Sequence, residues 1–324
     1  MTDWPHGGNL QQAMARHGGA VGDWLDLSTG INPLGWPVPP LPQAAFEPLP
    51  RRDGLESLCA AARAAYGVHD HNSIAAGAGA QSIIHLLPHL SPGSDVRILN
   101  PTYSAYGTAL SRSFEVTHVC EAAGLAGADL AILANPNNPD GRDIGPDDLR
   151  ALAGKVRLLV VDEAFRDMQP DRSLVMSPLP DNLLALRSFG KFFGLAGLRL
   201  GFAMGSASLI DRIADLLGPW PVSGPALTVG AQALQDNVWI GATRQHAWHD
   251  CDRLADLLRA AGHEIVANTG LFVTMASPDA VVIARRLGDA HIWVRAFDYA
   301  PTWLRIGLPG AAADWQRLEE ALRA

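Results

Sequence analysis

The sequence predicts an α/β fold in which helices cover a parallel sheet, followed by a smaller α+β unit. Between residues 95 and 190, short apolar runs that end in polar or turn residues alternate with helix-like stretches, which is typical of parallel strands buried on both faces. From about residue 240, further helix and strand patterns indicate the smaller unit. A chain of 324 residues is long enough for two lobes. We place an N-terminal arm that joins the small domain at 1–45, a large domain at 46–238 and a small C-terminal domain at 239–324.

The predicted elements follow from local patterns, taken in chain order. Residues 28–50 contain too much proline and glycine for a long helix or a central strand, so we expect an extended arm. Helical spacing covers 55–66 and ends at Gly67, and a second helix is expected over 79–90 after a glycine-rich turn. The predicted strands of the sheet are "DVRILN", "LAILANP", "VRLLVVDEAF" and "NLLALRSFG", with a helix at "GPDDLRALAGK". Near the C-terminus, "RLADLLRAAGHEIV" predicts a helix leading into a strand, "DAVVIARRLGDA" a helix, and "GLFVTMA", "HIWVRAF" and "WLRIGL" strands.

Composition narrows the class of protein. Hydrophobic residues make up 48% of the chain and charged residues 18%, with no run of like charges, so we expect an ordered globular protein. The net charge of −8 argues against a nucleic-acid surface, but it is compatible with a local cationic pocket for an anionic small molecule. Three scattered cysteines indicate neither disulfides nor a metal site. No leader peptide or membrane span is recognisable, so we expect a cytoplasmic protein.

One lysine, Lys191, lies in the mostly apolar segment "SFGKFFGLAGLRLGF" (188–202). An isolated lysine of this kind is usually a surface residue whose stem packs on apolar neighbours. In a partly desolvated setting, however, a lysine is a usable amine nucleophile and can form a Schiff base with an aldehyde cofactor such as pyridoxal phosphate. Ser188 and Arg199 are close enough in sequence to supply a hydroxyl group and a cation for that cofactor's phosphate.

Asp162 ends the apolar run of "RLLVVDEAF", where a buried carboxylate needs a cationic partner. A protonated pyridine nitrogen is such a partner, and an aspartate at that position keeps the ring an electron sink. The alternative is a strand-end aspartate that caps the next helix. Because ligands of open parallel sheets bind beyond the carboxyl ends of the strands, we expect 135–141, Asp162 and 188–191 to meet at one crevice.

Other candidate cofactor contacts are weaker when each is taken alone. Asn138, in the turn-forming "NPNNPDG", can donate a hydrogen bond to a ring hydroxyl, or it can simply belong to a tight loop. The glycine-rich "AAGAGAQSII" (75–84) can bind a phosphate at the start of a helix. Tyr103, with Tyr106 as the alternative, can lie over a flat heterocycle, although such a tyrosine is more often buried in a core.

Two arginines, Arg295 and Arg305, lie between apolar residues in the strand-like "WVRAF" and "WLRIGL". The guanidinium group matches carboxylates and phosphates in bidentate geometry, so two inward arginines suit a substrate with two anionic groups. The histidines of "HDH" (69–71) and "HAWHDC" (246–251) lack the complementary ligands of a zinc site, so we predict no metal.

The glycine-rich turn, a tyrosine, "NNPDG", "DEAF", Ser-x-x-Lys and an arginine eight residues after the lysine occur in an order that resembles the fold-type I pyridoxal-phosphate enzymes of the aspartate aminotransferase superfamily. The resemblance covers essentially the whole chain. It implies a three-layer α/β/α transferase fold with a smaller α+β domain, and a homodimer with shared active sites. It also implies that Lys191 holds the cofactor and that Asp162 pairs with the pyridine nitrogen. The implied remaining cofactor contacts are Tyr103 on the ring face, Asn138 on the ring hydroxyl, and Gly79, Ala80, Gln81, Ser188 and Arg199 at the phosphate.

Within that superfamily the chain resembles the branch of histidinol-phosphate aminotransferases and threonine-phosphate decarboxylases. "HGGN" (6–9), "LSTGINPLG" (27–35) and "DEAF", where the aminotransferases more often have "DEAY", favour the decarboxylases. Phe165 cannot donate the hydrogen bond that a tyrosine would give the ring hydroxyl. Leu49 occupies the position at which family members often carry a tyrosine that reaches the partner subunit's cofactor phosphate.

The resemblance to the decarboxylases implies decarboxylation of L-threonine O-3-phosphate to (R)-1-amino-2-propanol O-2-phosphate, a step of cobalamin biosynthesis. It implies Arg305 as the carboxylate ligand, although the residues alone do not assign the two anionic groups to the two arginines. The residues expected to bind the substrate are His6, Gly8, Asn32, Asn138, Arg295 and Arg305.

Three alternative functions remain. The first is an aminotransferase that acts on a phosphorylated substrate such as histidinol phosphate. The second is a nicotinamide-binding dehydrogenase that uses the glycine turn near residue 77. The third is a catalytically silent, cofactor-binding relative, against which the presence of Lys191 and Asp162 argues.

Overall fold

The computed structural model describes residues 7–323 and divides the chain into two units. The large unit comprises residues 35–138 and 142–242, and the small unit comprises residues up to 34, 139–141 and those from 243 onward. The domain boundaries expected from the sequence, after residues 45 and 238, stay predictions. Among the described residues, no helix is both long enough and apolar enough to cross a membrane.

Helices and strands alternate along the described chain. The helices are α1 (Leu10–His17), α2 (Arg52–Tyr66), α3 (Ala80–Ile84), α4 (Leu87–Leu90), α5 (Ala105–Leu110), α6 (Pro146–Ala153), α7 (Phe189–Phe192), α8 (Ala207–Leu217), α9 (Gly224–Gln235), α10 (Asn237–Ala260), α11 (Ala280–Asp289) and α12 (Ala312–Arg323). The strands are β1 (Leu25–Asp26), β2 (Ser73–Gly77), β3 (Val96–Leu99), β4 (Val116–Val119), β5 (Leu130–Ala134), β6 (Leu158–Asp162), β7 (Leu183–Ser188), β8 (Gly201–Gly205), β9 (Glu264–Asn268), β10 (Phe272–Ala276), β11 (Ile292–Trp293), β12 (Arg295–Phe297) and β13 (Ala300–Gly307).

The large unit is built on a seven-stranded sheet with the order β2-β8-β7-β6-β5-β3-β4. The strands from β3 to β7 are mutually parallel, and β5 and β6 are buried along their whole length, which confirms the α/β prediction. β8 is antiparallel to both of its neighbours, β7 and β2. The sequence pattern does not predict β2, β4 or β8, because "SIAAG", "VTHV" and "GFAMG" lack a run of large apolar side chains.

Two predicted helices of the large unit have different outcomes. The helix expected over 55–66 is confirmed as α2, and Gly67 ends it in a left-handed conformation. The single helix expected over 79–90 is wrong, because α3 ends at Ile84 and a separate helix, α4, follows with Pro88 in its first turn. Proline has no N–H group, and its ring clashes with the carbonyl four residues earlier, so it interrupts a continuous helix at this point.

The sheet register brings the loops of the large unit to one edge. Ala134, the last residue of β5, lies opposite Asp162, the last residue of β6. At the same edge, Gly201 at the start of β8 pairs with Ser188 at the end of β7 and with Gly77 at the end of β2. The segments that follow β2, β5, β6 and β7 therefore converge beyond one edge of the sheet, as expected for the carboxyl ends of parallel strands.

A buried charged cluster, which we call the Arg187 network, is formed by Glu163, Asp167, Ser173 and Arg187. Arg187 on β7 and Glu163 directly after β6 are fully buried, and 3.3 Å separates Nε of Arg187 from Oε2 of Glu163. Ser173 Oγ donates to Glu163 Oε2 over 2.6 Å and accepts from Arg187 Nη2 over 2.9 Å, and Asp167 lies 3.4 Å from Arg187. The Arg187 guanidinium group also lies 4.8 Å from the centre of the Tyr66 ring. These contacts pair charges that are almost completely shielded from water.

The small unit has its own antiparallel sheet, with the order β12-β13-β10-β9, and a short parallel pair formed by β1 and β11. Helix α11 packs on β13 and on α12. These elements confirm the α+β pattern expected near the C-terminus. In the described stretch 28–50 there is no α-helix or strand, as expected for an arm.

Candidate active site

A cavity of about 140 Å³ lies at the edge of the large unit where the loops converge. All nine residues that the sequence associates with a cofactor line this cavity: Gly79, Ala80, Gln81, Tyr103, Asn138, Asp162, Ser188, Lys191 and Arg199. Tyr106, Ala164 and Phe165 line it as well. The fold therefore collects these residues around one volume, while the role of each toward a ligand stays a prediction.

Two glycines allow one wall of the cavity to form. Gly79 has a left-handed φ of +80°, and a Cβ atom there would lie 2.7 Å from Nη2 of Arg199. A Cβ atom on Gly201 would overlap the backbone nitrogen of Ala80. Without side chains at these positions, the Arg199 guanidinium group lies against the backbone of the Gly79–Ala80 turn, and Arg199 Nη1 donates to the carbonyl of Ala196 over 3.0 Å. A guanidinium group beside a narrow backbone turn is suited to a phosphate.

Asp162 is the buried acidic group of the cavity. Its Oδ2 accepts a hydrogen bond from the Tyr106 hydroxyl at 2.6 Å, and its Oδ1 accepts from the Ala164 N–H at 2.9 Å. Burial raises the pKa of the Asp162 carboxyl, whereas these two hydrogen bonds and the charge of Lys191 act in the opposite direction. A cation that enters the cavity would therefore meet a carboxylate whose position is already fixed.

Lys191 is the primary amine of the cavity lining. It lies in the short helix α7, and its Nζ is 5.8 Å from the centre of the Phe165 ring. The phenyl rings of Phe189 and Phe193 stack at 4.3 Å, which forms an apolar support for this helix. A Cβ atom on Gly190 would lie 2.6 Å from Cα of Ala196, so glycine is needed where α7 approaches the following turn. The amine is thus partly buried on a tightly packed segment.

The two tyrosines of "PTYSAY" have different environments. Tyr103 is partly buried and its hydroxyl donates to Gln81 Oε1 over 3.1 Å, so its ring lines the cavity. Tyr106, the alternative for a ring-stacking role, is 1% exposed, and its hydroxyl donates to Asp162. The two rings are perpendicular, with 5.6 Å between their centres. The bond between Tyr106 and Asp162 is a contact that the sequence analysis does not contain, since no local pattern connects the two residues.

The three asparagines of "NPNNPDG" have two different roles: two of them hold the loop together, and the third lines the cavity. Asn135 is buried and exchanges two hydrogen bonds with the backbone of Ile144. Asn137 is also buried; its Nδ2 donates to the Pro101 carbonyl and its Oδ1 accepts from the Thr102 hydroxyl, each over 2.7 Å. Asn138 lines the cavity. The first two asparagines therefore fix the loop that presents the third.

The small unit contains the two candidate substrate arginines as direct partners in a strand pair, Arg295 on β12 opposite Arg305 on β13. Arg305 is buried, with its guanidinium group 5.2 Å from the centre of the Phe272 ring. Burial and then the positive charge of Arg295 lower the pKa of Arg305 to about 10. Burial also lowers the pKa of Arg295. An anion beside this pair would relieve the repulsion between two partly desolvated like charges.

Ser28 connects other candidates of the small unit. Its Oγ accepts from the Gly8 N–H over 2.7 Å, and its carbonyl accepts from Nη2 of Arg305. Asn32 is buried, and its Oδ1 accepts from the N–H of Leu34 over 3.0 Å. The structure therefore joins Gly8 and Arg305 through Ser28, which the sequence analysis did not single out. His6, also expected at the substrate, lies outside the described residues.

Comparisons with known proteins agree on a family. Residues 43–324 match the sequence profile of the family "Aminotransferase class I and II". A threonine-phosphate decarboxylase of a Sinorhizobium species is 44% identical over 98% of this chain and 97% of its own, and one of Pseudomonas aeruginosa is 38% identical over 98% and 96%. A histidinol-phosphate aminotransferase of Hyphomonas neptunium is 32% identical over 94% and 91%.

Solved structures share the fold. The histidinol-phosphate aminotransferase of Sinorhizobium meliloti, determined in complex with pyridoxal-5'-phosphate, superposes with a TM-score of 0.81 at 21% identity and covers 100% of this chain and 95% of its own. The L-threonine-O-3-phosphate decarboxylase of Porphyromonas gingivalis superposes with a TM-score of 0.68 at 20% identity over 86% and 91%. At these identities the similarity establishes the architecture alone.

Proposed function

This chain belongs to the aminotransferase class I and II family, and we propose that it is a pyridoxal-phosphate enzyme that decarboxylates L-threonine O-3-phosphate to (R)-1-amino-2-propanol O-2-phosphate. The observation that carries the proposal is the identity, along nearly the full chain, to two threonine-phosphate decarboxylases. This identity exceeds that to the histidinol-phosphate aminotransferase. Phe165, in place of a tyrosine, also fits the decarboxylase reading.

The functional groups that line the cavity match the functional groups of pyridoxal phosphate. The fit consists of a primary amine on Lys191, a buried carboxylate on Asp162 whose two oxygens already accept hydrogen bonds, and a glycine-lined turn beside the Arg199 guanidinium group. When bound, pyridoxal phosphate supplies an electron sink for the negative charge left on the substrate when a bond to Cα breaks.

In this proposal, different residues of the large unit would bind different parts of the cofactor. Lys191 would hold it covalently through Nζ, and Asp162 would accept a hydrogen bond from the N–H of its ring. Asn138 would donate to the ring hydroxyl, and Tyr103 would pack against the ring face. The phosphate would be held by Gly79, Ala80, Gln81, Ser188 and Arg199.

The residues of the small unit would bind and orient the substrate. We assign the carboxylate to Arg305, whose guanidinium group is held by the Ser28 carbonyl and the Phe272 ring, and the second anionic group to Arg295. Gly8, Asn32 and His6, with Asn138 of the large unit, would complete the contacts. Decarboxylation breaks the bond from Cα to the carboxylate, whereas transamination breaks the bond from Cα to hydrogen, so a firmly held carboxylate would select between the two reactions.

We further propose that the enzyme acts as a homodimer with shared active sites, that it works in the cytoplasm, and that its product is the linker precursor of cobalamin. The support for these proposals is the resemblance to the decarboxylase branch, together with the two anion-binding arginines that a phosphorylated amino acid needs.

The test is a product assay on the protein reconstituted with pyridoxal phosphate. After addition of L-threonine O-3-phosphate, we expect carbon dioxide and aminopropanol phosphate in equal amounts. A parallel reaction with histidinol phosphate and 2-oxoglutarate should yield no glutamate. Transfer of the amino group without carbon dioxide would instead identify an aminotransferase, and NADH binding without any bound pyridoxal phosphate would identify a dehydrogenase.

The phosphate wall gives a prediction about Gly201. In Gly201→Ala the added methyl group overlaps the backbone of Ala80, so the turn that faces Arg199 must shift. Overpacking of this kind costs about 1–3 kcal/mol, and we expect the dissociation constant of pyridoxal phosphate to rise about tenfold. Fluorescence titration of the apoenzyme measures this constant. The control is Gly197→Ala, where an added Cβ meets nothing within 4 Å; equal constants for the two variants would contradict the assignment of the wall.

A further inference from the structure

Tyr106 places a phenolic hydroxyl group against the carboxylate of Asp162 in the interior of the large unit. The donor–acceptor distance is 2.6 Å, and the exposed fractions of the two residues are 1% and 5%. A phenylalanine would fill the same apolar space, so packing alone does not require the hydroxyl group. We therefore ask what the Tyr106 hydroxyl group does for Asp162, the residue to which it donates.

The hydroxyl group is a permanent donor. Burial, the neighbouring charge of Asp162 and the hydrogen bond itself hold the pKa of Tyr106 well above its ordinary value, so the phenol keeps its proton and remains available as a hydrogen-bond donor to Asp162. A donor that never changes state favours the ionised form of its acceptor. The Tyr106 hydroxyl thus opposes the effect of burial, which favours a neutral Asp162.

The other groups around Asp162 leave this role to Tyr106. The Ala164 N–H holds the second oxygen, Lys191 on α7 contributes a positive charge, and Glu163 contributes a negative charge that favours the neutral carboxyl. The register partner of Asp162 on β5 is the apolar Ala134. Once the amine of Lys191 is engaged with a cofactor, the Tyr106 hydroxyl is the side-chain donor that remains on Asp162 among these groups.

We propose that Tyr106 is a positioning residue that fixes one oxygen of Asp162, keeps this carboxylate ionised and thereby sets how tightly the protein holds the ring nitrogen of its cofactor. This inference rests on the proposed function, because it assumes pyridoxal phosphate in the cavity. It assigns to Tyr106 no contact with the cofactor or the substrate in the reaction.

The test measures cofactor affinity instead of turnover. In Tyr106→Phe we expect the dissociation constant of pyridoxal phosphate to rise by up to about tenfold on the acid limb of its pH profile, since a shift of one pKa unit changes the ionised fraction of Asp162 by at most a factor of ten. Loss of the hydrogen bond raises the pKa of Asp162. The ionised form that binds the ring N–H is then lost at a higher pH, so the acid limb of the affinity profile should move upward by about one pH unit.

Two comparisons separate this role from a structural one. A pyridoxal phosphate analogue with a ring C–H in place of the nitrogen should bind the wild type and Tyr106→Phe equally, because it cannot use Asp162. When Asp162→Asn is already present, Tyr106→Phe should change the affinity for pyridoxal phosphate by less than twofold, because there is no charge left to stabilise. Equal weakening of both ligands, or an undiminished effect of Tyr106→Phe in the Asp162→Asn variant, would overturn the proposal.

Tyr66→Phe is the matched control. Tyr66 is a buried tyrosine of the same unit, and its hydroxyl group has no hydrogen-bond partner among the described residues. Its variant should leave the affinity and its pH profile unchanged. If the wild type binds no pyridoxal phosphate, the proposed function fails; if the wild type binds it and Tyr106→Phe matches the wild type at every pH, only the role of Tyr106 fails.

Discussion

Replacement of Lys191 by alanine is expected to abolish covalent attachment of pyridoxal phosphate and to lower turnover by about 10³-fold or more. The size follows from the loss of both the covalent anchor and the amine that moves protons in the cavity, since a positioned acid or base alone contributes about 10²–10⁴-fold. The alanine side chain removes a partly buried amine and leaves the phenylalanine support of α7 unchanged. The variant should therefore remain folded.

The sequence makes this experiment unusually clear, because the chain contains two lysines, Lys155 and Lys191. Reduction of the holoenzyme with borohydride, followed by peptide mass spectrometry, should place a phosphopyridoxyl label on Lys191. Lys155 is exposed, and Lys155→Ala should keep the label on Lys191 and full turnover. A label found on Lys155, or full turnover in Lys191→Ala, would refute the assignment.

The second large effect is expected on stability, from Arg187→Met. Methionine occupies a similar volume but leaves Glu163 and Asp167 as buried carboxylates without their cation. Breaking a buried ion pair from one side costs about 3–5 kcal/mol of the free energy of unfolding, because the remaining charge keeps its desolvation penalty. Urea denaturation monitored by circular dichroism, together with the thermal midpoint, measures the change.

Two further variants determine whether the unpaired charge is the cause. Arg157→Met removes an exposed ion pair with Asp129 and should cost at most about 1 kcal/mol. The double variant Arg187→Met/Glu163→Gln should recover part of the lost stability, because the amide leaves one unpaired charge fewer in the interior. A loss in Arg187→Met no larger than that in Arg157→Met would show that the Arg187 network does not stabilise the fold.

The sequence predicts some strands of the fold well because a strand buried on both faces appears as a run of consecutive apolar residues. β5 is apolar throughout, β6 and β7 each begin with four apolar residues, and Asp162 stands out because it ends β6. β8 has no run of this length. Two glycines separate its phenylalanine, alanine and methionine from the neighbouring sequence, and its direction depends on pairing with β7 and β2, which no single stretch encodes.

The sequence predicts a site residue when that residue is unusual in its own local segment. It does not predict a contact between two residues that are far apart in the sequence. Lys191 is conspicuous as an amine in an apolar segment. Tyr106 acts on Asp162 from 56 residues away, and the contact arises only when α5 packs beside the end of β6. Ser28 is likewise an ordinary serine until its backbone carbonyl meets Arg305.

The reversed direction of β8 has a consequence for how such an enzyme can change. The segment between β7 and β8 leaves and re-enters the sheet at one edge, because Ser188 pairs with Gly201. Lys191 and Arg199 therefore lie on a loop with both ends anchored in the sheet, and the backbone sets the separation between the Cα atoms of these two residues. Substitutions at Arg295 and Arg305, which lie on β12 and β13, leave that separation unchanged. Substrate preference can thus evolve while the separation of Lys191 and Arg199, which the proposed cofactor requires, stays constant. An insertion or deletion in the loop between β7 and β8 should, by contrast, be poorly tolerated.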